Sequence, residues 1–171
     1  SVAGVVTGQG SSDTTIRGNF IGTDPTGMSA RANGTGINNF TGSASWRDIT
    51  RNLIAGNSVA AIVLENDDAI TPSAGLVRIQ RNRIGVNRTL SALLRNGGDG
   101  INFAPGSISG VLIGGLAASE GNEITGNDDA IDIRGISNIT IQGNIIGIAV
   151  ARGISLDNVT NAAIGGTSPG T

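Results

Sequence analysis

One short phrase recurs along this chain and limits what it can fold into: apolar-x-x-Asn-x-Ile-Gly, at Ile16–Gly22, Ile79–Gly85 and Ile141–Gly147. Its asparagines, Asn19, Asn82 and Asn144, stand 63 and then 62 residues apart. A second phrase, Asn-x-Ile-x-Gly-Asn, interleaves with the first at Asn52–Asn57 and Asn122–Asn127. Small-then-apolar pairs follow at Gly36-Ile37, Ala61-Ile62, Gly100-Ile101, Ala130-Ile131 and Gly153-Ile154. Self-similarity of this kind marks an array of stacked units, each unable to bury its apolar face alone. The interleaved phrases divide each super-repeat of about 62 residues into about three units of roughly 20 residues. The 171 residues then form a single domain, 1–171, of nearly three super-repeats.

Between the phrases the side chains alternate. Ile131 and Ile133 flank Asp132, Ile154 and Leu156 flank Ser155, Ile101 and Phe103 flank Asn102, and Ile139 and Ile141 flank Thr140. That is the two-residue period of short strands with one buried face. Gly and Asn punctuate the strand ends, where tight bends need positive φ and local side-chain hydrogen bonds. No window shows a capped helical stripe, so the expectation is all-β. A sandwich or propeller does not call for near-identical Asn-x-Ile-Gly bends at short regular intervals, whereas one coil of a solenoid does.

The segments "GNFIGTDPTG", "RNLIAGN" and "IQGNIIG" resemble the parallel β-helix repeat family of bacterial secreted and surface proteins, and the likeness covers essentially the whole chain. It implies a single-stranded parallel β-helix, right-handed, with Asn residues stacked in a ladder at one bend. At the expected unit length the chain makes about eight coils, a rod near 40 Å long at about 4.8 Å per coil. Asn19, Asn52, Asn82, Asn122 and Asn144 are the ladder candidates: stacked amides one strand apart can bond along the axis and hold the register of successive coils.

Composition narrows the chemistry. The chain has no Cys and no His, and all eleven basic residues are Arg. Transition-metal ligands of the usual kind, thiol nucleophiles and imidazole bases are therefore excluded, and any catalysis rests on carboxylates and Arg. Thirteen acids against eleven arginines leave a net charge of −2, which argues against a nucleic-acid partner. Aromatics at 2% supply no stacking platform for sugars or bases. No stretch approaches the length of a membrane span.

The densest acidic group is Asp128, Asp129 and Asp132 in "GNDDAIDI", with a near copy at Asp67 and Asp68 in "ENDDAI". Paired Asp residues on a β-helix resemble those of polygalacturonase-like glycoside hydrolases, whose adjacent carboxylates activate water and protonate the leaving group. That family also places a His and a Lys at the cleft, and this chain has neither. Alternation sends Asp132 outward and leaves Asp128 and Asp129 at the bend after Asn127, as solvated turn carboxylates or as a calcium or ligand site. Repetition at Asp67 and Asp68 argues for structure, since a catalytic pair is not expected twice.

Arg78, Arg81, Arg83, Arg88 and Arg95 fall within one super-repeat, either holding an acidic glycan or phosphate or pairing with neighbouring acids on a solvated face. Trp46 replaces an apolar-Gly-Gly closing and reads as an insertion anchor or a contact residue, with packing over a coil end the preferred reading. Asn38, Asn102, Asp132 and Ser155, each following a small-apolar opening, form a candidate passive glycan face.

Ser1–Val6 matches Ser58–Val63, and Ile164–Gly166 repeats Ile113–Gly115, so the two ends bracket the same phase of the repeat. End-to-end self-association, or a stretch of a longer array, is the expectation. The functional reading is a non-enzymatic extracellular or cell-surface structural or adhesive element, a stalk segment or fibre subunit, with surface glycans as candidate partners. No cofactor is expected, calcium apart. The alternative is a carbohydrate-active enzyme or glycan-binding module.

Overall fold

A computed structural model describes residues 2–8, 11, 13–40, 47–65, 77–105, 109–117 and 119–166. Trp46, Asp67 and Asp68 lie outside the described residues. The first coil runs β1 (Val5–Thr7), β2 (Thr14–Arg17) and β3 (Phe20–Ile21), and the second β4 (Thr35–Phe40), β5 (Arg47–Thr50) and β6 (Leu53–Ile54). The third is β7 (Ala60–Glu65), β8 (Val77–Gln80) and β9 (Arg83–Ile84), and the fourth β10 (Ile101–Phe103), β11 (Ser109–Gly114) and β12 (Glu123–Ile124). The fifth is β13 (Asn127–Arg134), β14 (Ser137–Gln142) and β15 (Ile145–Ile146), followed by β16 (Ala149–Asp157) and β17 (Thr160–Ile164).

Every third strand pairs with the next in parallel, giving sheet A (β1-β4-β7-β10-β13-β16), sheet B (β2-β5-β8-β11-β14-β17) and sheet C (β3-β6-β9-β12-β15). The chain is a parallel β-helix. Among the described residues it has six coils, the sixth represented by two strands, and not the eight expected. The ladder asparagines explain the difference: successive rungs are 33, 30, 40 and 22 residues apart. Each super-repeat therefore holds two longer coils, because loops at the corners add length without adding strands.

Three columns of isoleucine fill the interior, each fixed by strand register. Sheet A stacks Ile37, Ile62, Ile101, Ile131 and Ile154. Sheet B stacks Ile16, Ile49, Ile79, Ile113 and Ile141, with Ile164 exposed at the end of the column. Sheet C stacks Ile21, Ile54, Ile84, Ile124 and Ile146. β-Branched side chains suit a pleated surface with like neighbours above and below, and each fully buried Ile contributes about 1.5–3 kcal/mol. The small residue before each sheet A isoleucine is dictated by the corner: a Cβ on Gly100 would lie 2.6 Å from the Ala130 carbonyl oxygen and 2.9 Å from Ile124 Cγ2. Arg47 breaks the apolar rule. It faces inward in register with Thr14 and Val77 and is 3% exposed, and desolvation depresses its pKa.

The five predicted asparagines form one ladder at the corner between sheets B and C. The backbone N–H and Nδ2 of Asn19 both donate to Asn52 Oδ1, at 3.0 and 3.2 Å. The same pair of bonds runs from Asn52 to Asn82, from Asn82 to Asn122 and from Asn122 to Asn144. Each later Nδ2 also donates back to a carbonyl of the preceding coil, Ile16, Ile49, Ile79 or Ile113. Both donors of the buried amides are thus used, as buried polar groups require.

A second ladder, not anticipated from the sequence, stands at the corner between sheets C and A. Asn33 Nδ2 donates to Asn57 Oδ1, Asn57 Nδ2 to Asn96 Oδ1, and Asn96 Nδ2 to Asn127 Oδ1, at 3.1, 2.9 and 2.8 Å. Coils two and four reach it directly from sheet C. Coils one and three detour through matching loops, 22–33 and 85–96, closed by the bridges Thr23 to Ala30 and Val86 to Leu93. In the first loop Asp24 Oδ1 accepts from the backbone N–H groups of Met28 and Ser29 and from the Thr26 hydroxyl. Asn87 Oδ1 takes the same role towards Ser91, Ala92 and Thr89 in the second. The loops touch across the intervening coil, where the Arg88 N–H donates to the Gly27 carbonyl at 2.8 Å.

Two outcomes are expected. Asn82→Ala should lower the urea-unfolding free energy by roughly 3 kcal/mol, since it orphans buried groups on both neighbouring rungs, whereas Asn19→Ala at the exposed first rung should cost under about 1 kcal/mol. Equal costs would show that the ladder does not carry the register. Hydrogen bonds from Thr26 and the Met28 amide hold Asp24 below its ordinary pKa. Its contribution is fully present above the unfolded value and disappears as pH falls through the lowered folded value. Asp24→Asn, copying Asn87, should leave the Met28 and Ser29 amide NMR shifts constant across that acid range. Movement of those shifts in the variant as large as in the parent would contradict the assignment.

Candidate functional site

The outer face of sheet A gathers the acids that alternation pointed to, and adds others. Ile131 and Ile133 face the core, so Asp132 faces out, in register between Asn102 and Ser155. At the start of β13 the pairing with β16 slips: Asn127 stands opposite Ala149 but Asp129 stands opposite Arg152. The extra residue on β16 is a bulge, and it seats a guanidinium against Asp129. Arg152 Nε donates to Asp129 Oδ1 at 3.1 Å, and its Nη2 lies 2.7 Å from Oδ2. Arg134, two residues along the same strand face from Asp132, places Nε and Nη2 at 3.0 and 2.8 Å from Asp132 Oδ2. Asp99 joins from the coil before, its Oδ1 accepting from the Asp129 N–H and its Oδ2 from Asn102 Nδ2 at 2.6 Å.

The acids are beneath and the arginines above. The Asp132 and Asp129 side chains are 2% and 4% exposed, against 51% and 56% for Arg134 and Arg152. The hydrogen bond and charge of Asp129 raise the Arg152 pKa above its ordinary value, with smaller help from Asp132 and Asp99. One electrostatic neighbourhood therefore contains all three carboxylates. Asp129 and Asp132 are not the solvated turn carboxylates expected from the sequence: the bulge and the guanidiniums overhead bury them.

This arrangement restricts the chemistry. Hydrolysis by a carboxylate pair needs one group with a proton to give and a second in contact with water. Here both carboxylates lie under guanidiniums and away from solvent. Calcium requires several oxygen ligands converging on one point; Asp129 and the Oδ2 of Asp132 are paired with Arg152 and Arg134, and Asp128 is exposed at another corner. Among the described residues no three acids group as a metal-binding set. Asp128 is exposed at the next corner, its N–H bonded to the Gly98 carbonyl, in a groove shared with Arg95 and Asn96.

Asn38, Asn102, Asp132 and Ser155 stand in one column on this face, with Val63 among them. Asp132 and Ser155 are buried, however, so the polar groups that reach solvent are chiefly those of Arg134 and Arg152. The arginine group expected within one super-repeat is dispersed. Arg78 makes a two-point pair with Asp48 on sheet B and shares a groove with Arg81, Arg83 lies on sheet C, Arg88 sits in the loop 85–96 over the Phe20 ring, and Arg95 lines the groove of Asp128. Arg134, Arg152 and Asp99 were missed from the sequence, where only their place on β-strand faces near "NDDAID" could have indicated them.

Comparison with family models, with curated proteins and with solved structures finds no match to this chain.

Removing Arg152 leaves the buried Asp129 carboxylate without its guanidinium partner, so Arg152→Ala should lower the midpoint of urea unfolding. The Arg152→Ala, Asp129→Asn double variant should recover much of that loss. Strictly additive costs would mean that the two groups are not coupled.

Proposed function

We propose that this chain is a non-enzymatic structural or adhesive element displayed outside the cell, a stalk or fibre segment whose sheet A face meets surface glycans. The observation that supports this most is the roofing of Asp129 and Asp132 by Arg152 and Arg134. It turns a close group of carboxylates into a face with guanidinium donors uppermost, suited to bonding hydroxyl or anionic oxygens along a polymer. Two asparagine ladders and three isoleucine columns give a shaft held in register through its first five coils, as a load-bearing segment needs. The extracellular placement rests on the likeness of the repeat phrases to surface β-helix proteins. Among the described residues no helix is long and apolar enough to cross a membrane.

One observation favours a carbohydrate-active reading: Asp99, Asp129 and Asp132 share a face, where a purely structural rod would be expected to scatter its acids. Incubation with a panel of neutral and acidic polysaccharides separates the two. The proposal expects no reducing ends or unsaturated products, together with retention on a glycan surface that weakens in Arg134→Ala, Arg152→Ala. Product release abolished by Asp129→Asn would replace it with the enzymatic reading. Light scattering on the same preparation tests whether copies also stack end to end.

A further inference from the structure

A second polar groove runs along the corner between sheets B and C, separate from the acid and arginine face. Arg17, Arg51, Arg78 and Arg81 line it, with Asp48 and Glu120 as its acids. Both acids have other engagements. Asp48 is held at two points by Arg78, and Glu120 Oε2 accepts from the Ala117 N–H in its own turn. Arg17, Arg51 and Arg81 have no carboxylate partner among the described residues. Arg81 Nε is shielded from solvent and has no hydrogen-bond acceptor. Such a donor needs an explanation, since buried polar atoms are nearly always paired.

Backbone geometry supplies an independent sign. The residue before each ladder asparagine makes the bend into sheet C, and at three rungs it is glycine: Gly18, Gly121 and Gly143. Gly18 and Gly143 have φ of 71° and 61°. The other two rungs carry Arg51 and Arg81 with φ of 57° and 60°, in the left-handed region that glycine occupies without strain. Strained non-glycine residues persist where the side chain has a use. The two arginines stand on consecutive coils, about 4.8 Å apart along the axis, and Arg17 extends the row onto the coil before.

We infer that this groove binds an acidic polysaccharide, with its carboxylate or sulfate groups placed along the coil axis against Arg81, Arg51 and Arg17. A single small anion cannot reach guanidiniums on three successive coils, whereas a polymer with regularly spaced charges can. Guanidinium forks suit planar carboxylates and sulfate oxygens through paired N–H donors. A nucleic acid fits less well, because the chain is net negative and poor in aromatic residues for base stacking.

The full chain would be titrated by surface plasmon resonance against polygalacturonate and dextran sulfate, with inorganic sulfate and single-stranded DNA run in parallel. Saturable binding to at least one polysaccharide is expected, weakening with salt, and the stronger of the two identifies the anionic group. Arg51→Gly, Arg81→Gly should weaken it by about tenfold or more without lowering the melting temperature, because glycine is native at the sister rungs. Loss of this binding in Arg134→Ala, Arg152→Ala with none in the glycine pair would place the polymer on the sheet A face proposed above, and would overturn the groove while leaving that reading intact. Undiminished binding by the double glycine variant, equal affinity for single-stranded DNA, or saturable binding to neither polysaccharide would overturn the inference.

Discussion

The asparagine amide sets the terms for the rest of this molecule. It carries two donors and an acceptor that can take two bonds, and a parallel stack of coils offers partners above and below at one fixed separation. At the sheet B to sheet C corner the match is complete: Asn52, Asn82 and Asn122 each receive two bonds from the coil before and donate both forward and back. A slip of one residue would break these bonds and also turn every isoleucine outward. Register and core are therefore specified together, and corner loops can vary in length without disturbing either.

That freedom explains where function-bearing residues occur. The interior is mainly aliphatic, with Phe103 and Arg47 as departures, and the rungs are asparagine. The outward positions, the bulge in β16 and the residues just before the rungs remain open to chemistry. Asp129 meets Arg152 because of one extra residue, and Arg51 and Arg81 occupy bends that glycine fills elsewhere. Both features depart from the repeat, and both concentrate charge on a scaffold otherwise built from apolar and amide side chains.

The fold was legible in the sequence to the extent that spacing is conserved from coil to coil. Asn19, Asn52, Asn82, Asn122 and Asn144 and the small-apolar pairs announce the first ladder and the sheet A column, because each lies at a fixed offset from its strand. The second ladder was half visible, with Asn57 and Asn127 closing the Asn-x-Ile-x-Gly-Asn phrase five residues after Asn52 and Asn122. Asn33 and Asn96 were hidden because the loops place them fourteen residues after Asn19 and Asn82. The same loops made the coil count unreadable, since average spacing does not distinguish a detour from a strand. The site was less legible. Strand parity turns Asp132 outward, but no period announces a bulge, so the burial of Asp129 under Arg152 had no local signal. Parity from Ile49 does send Arg47 inward, against the usual preference of its charge.

Both ladders share a direction. In each, the side-chain amide of one coil donates to the carbonyl oxygen of the next, from Asn19 towards Asn144 and from Asn33 towards Asn127. The amide dipoles therefore point the same way and add, so the shaft is a vector and its two directions along the axis are electrically distinct. Bonds in such a chain polarise one another, and a rung is strengthened by neighbours it does not touch. A third dimension of specificity follows: two shafts laid side by side in opposite senses are not equivalent to two laid in the same sense, even where their side chains match.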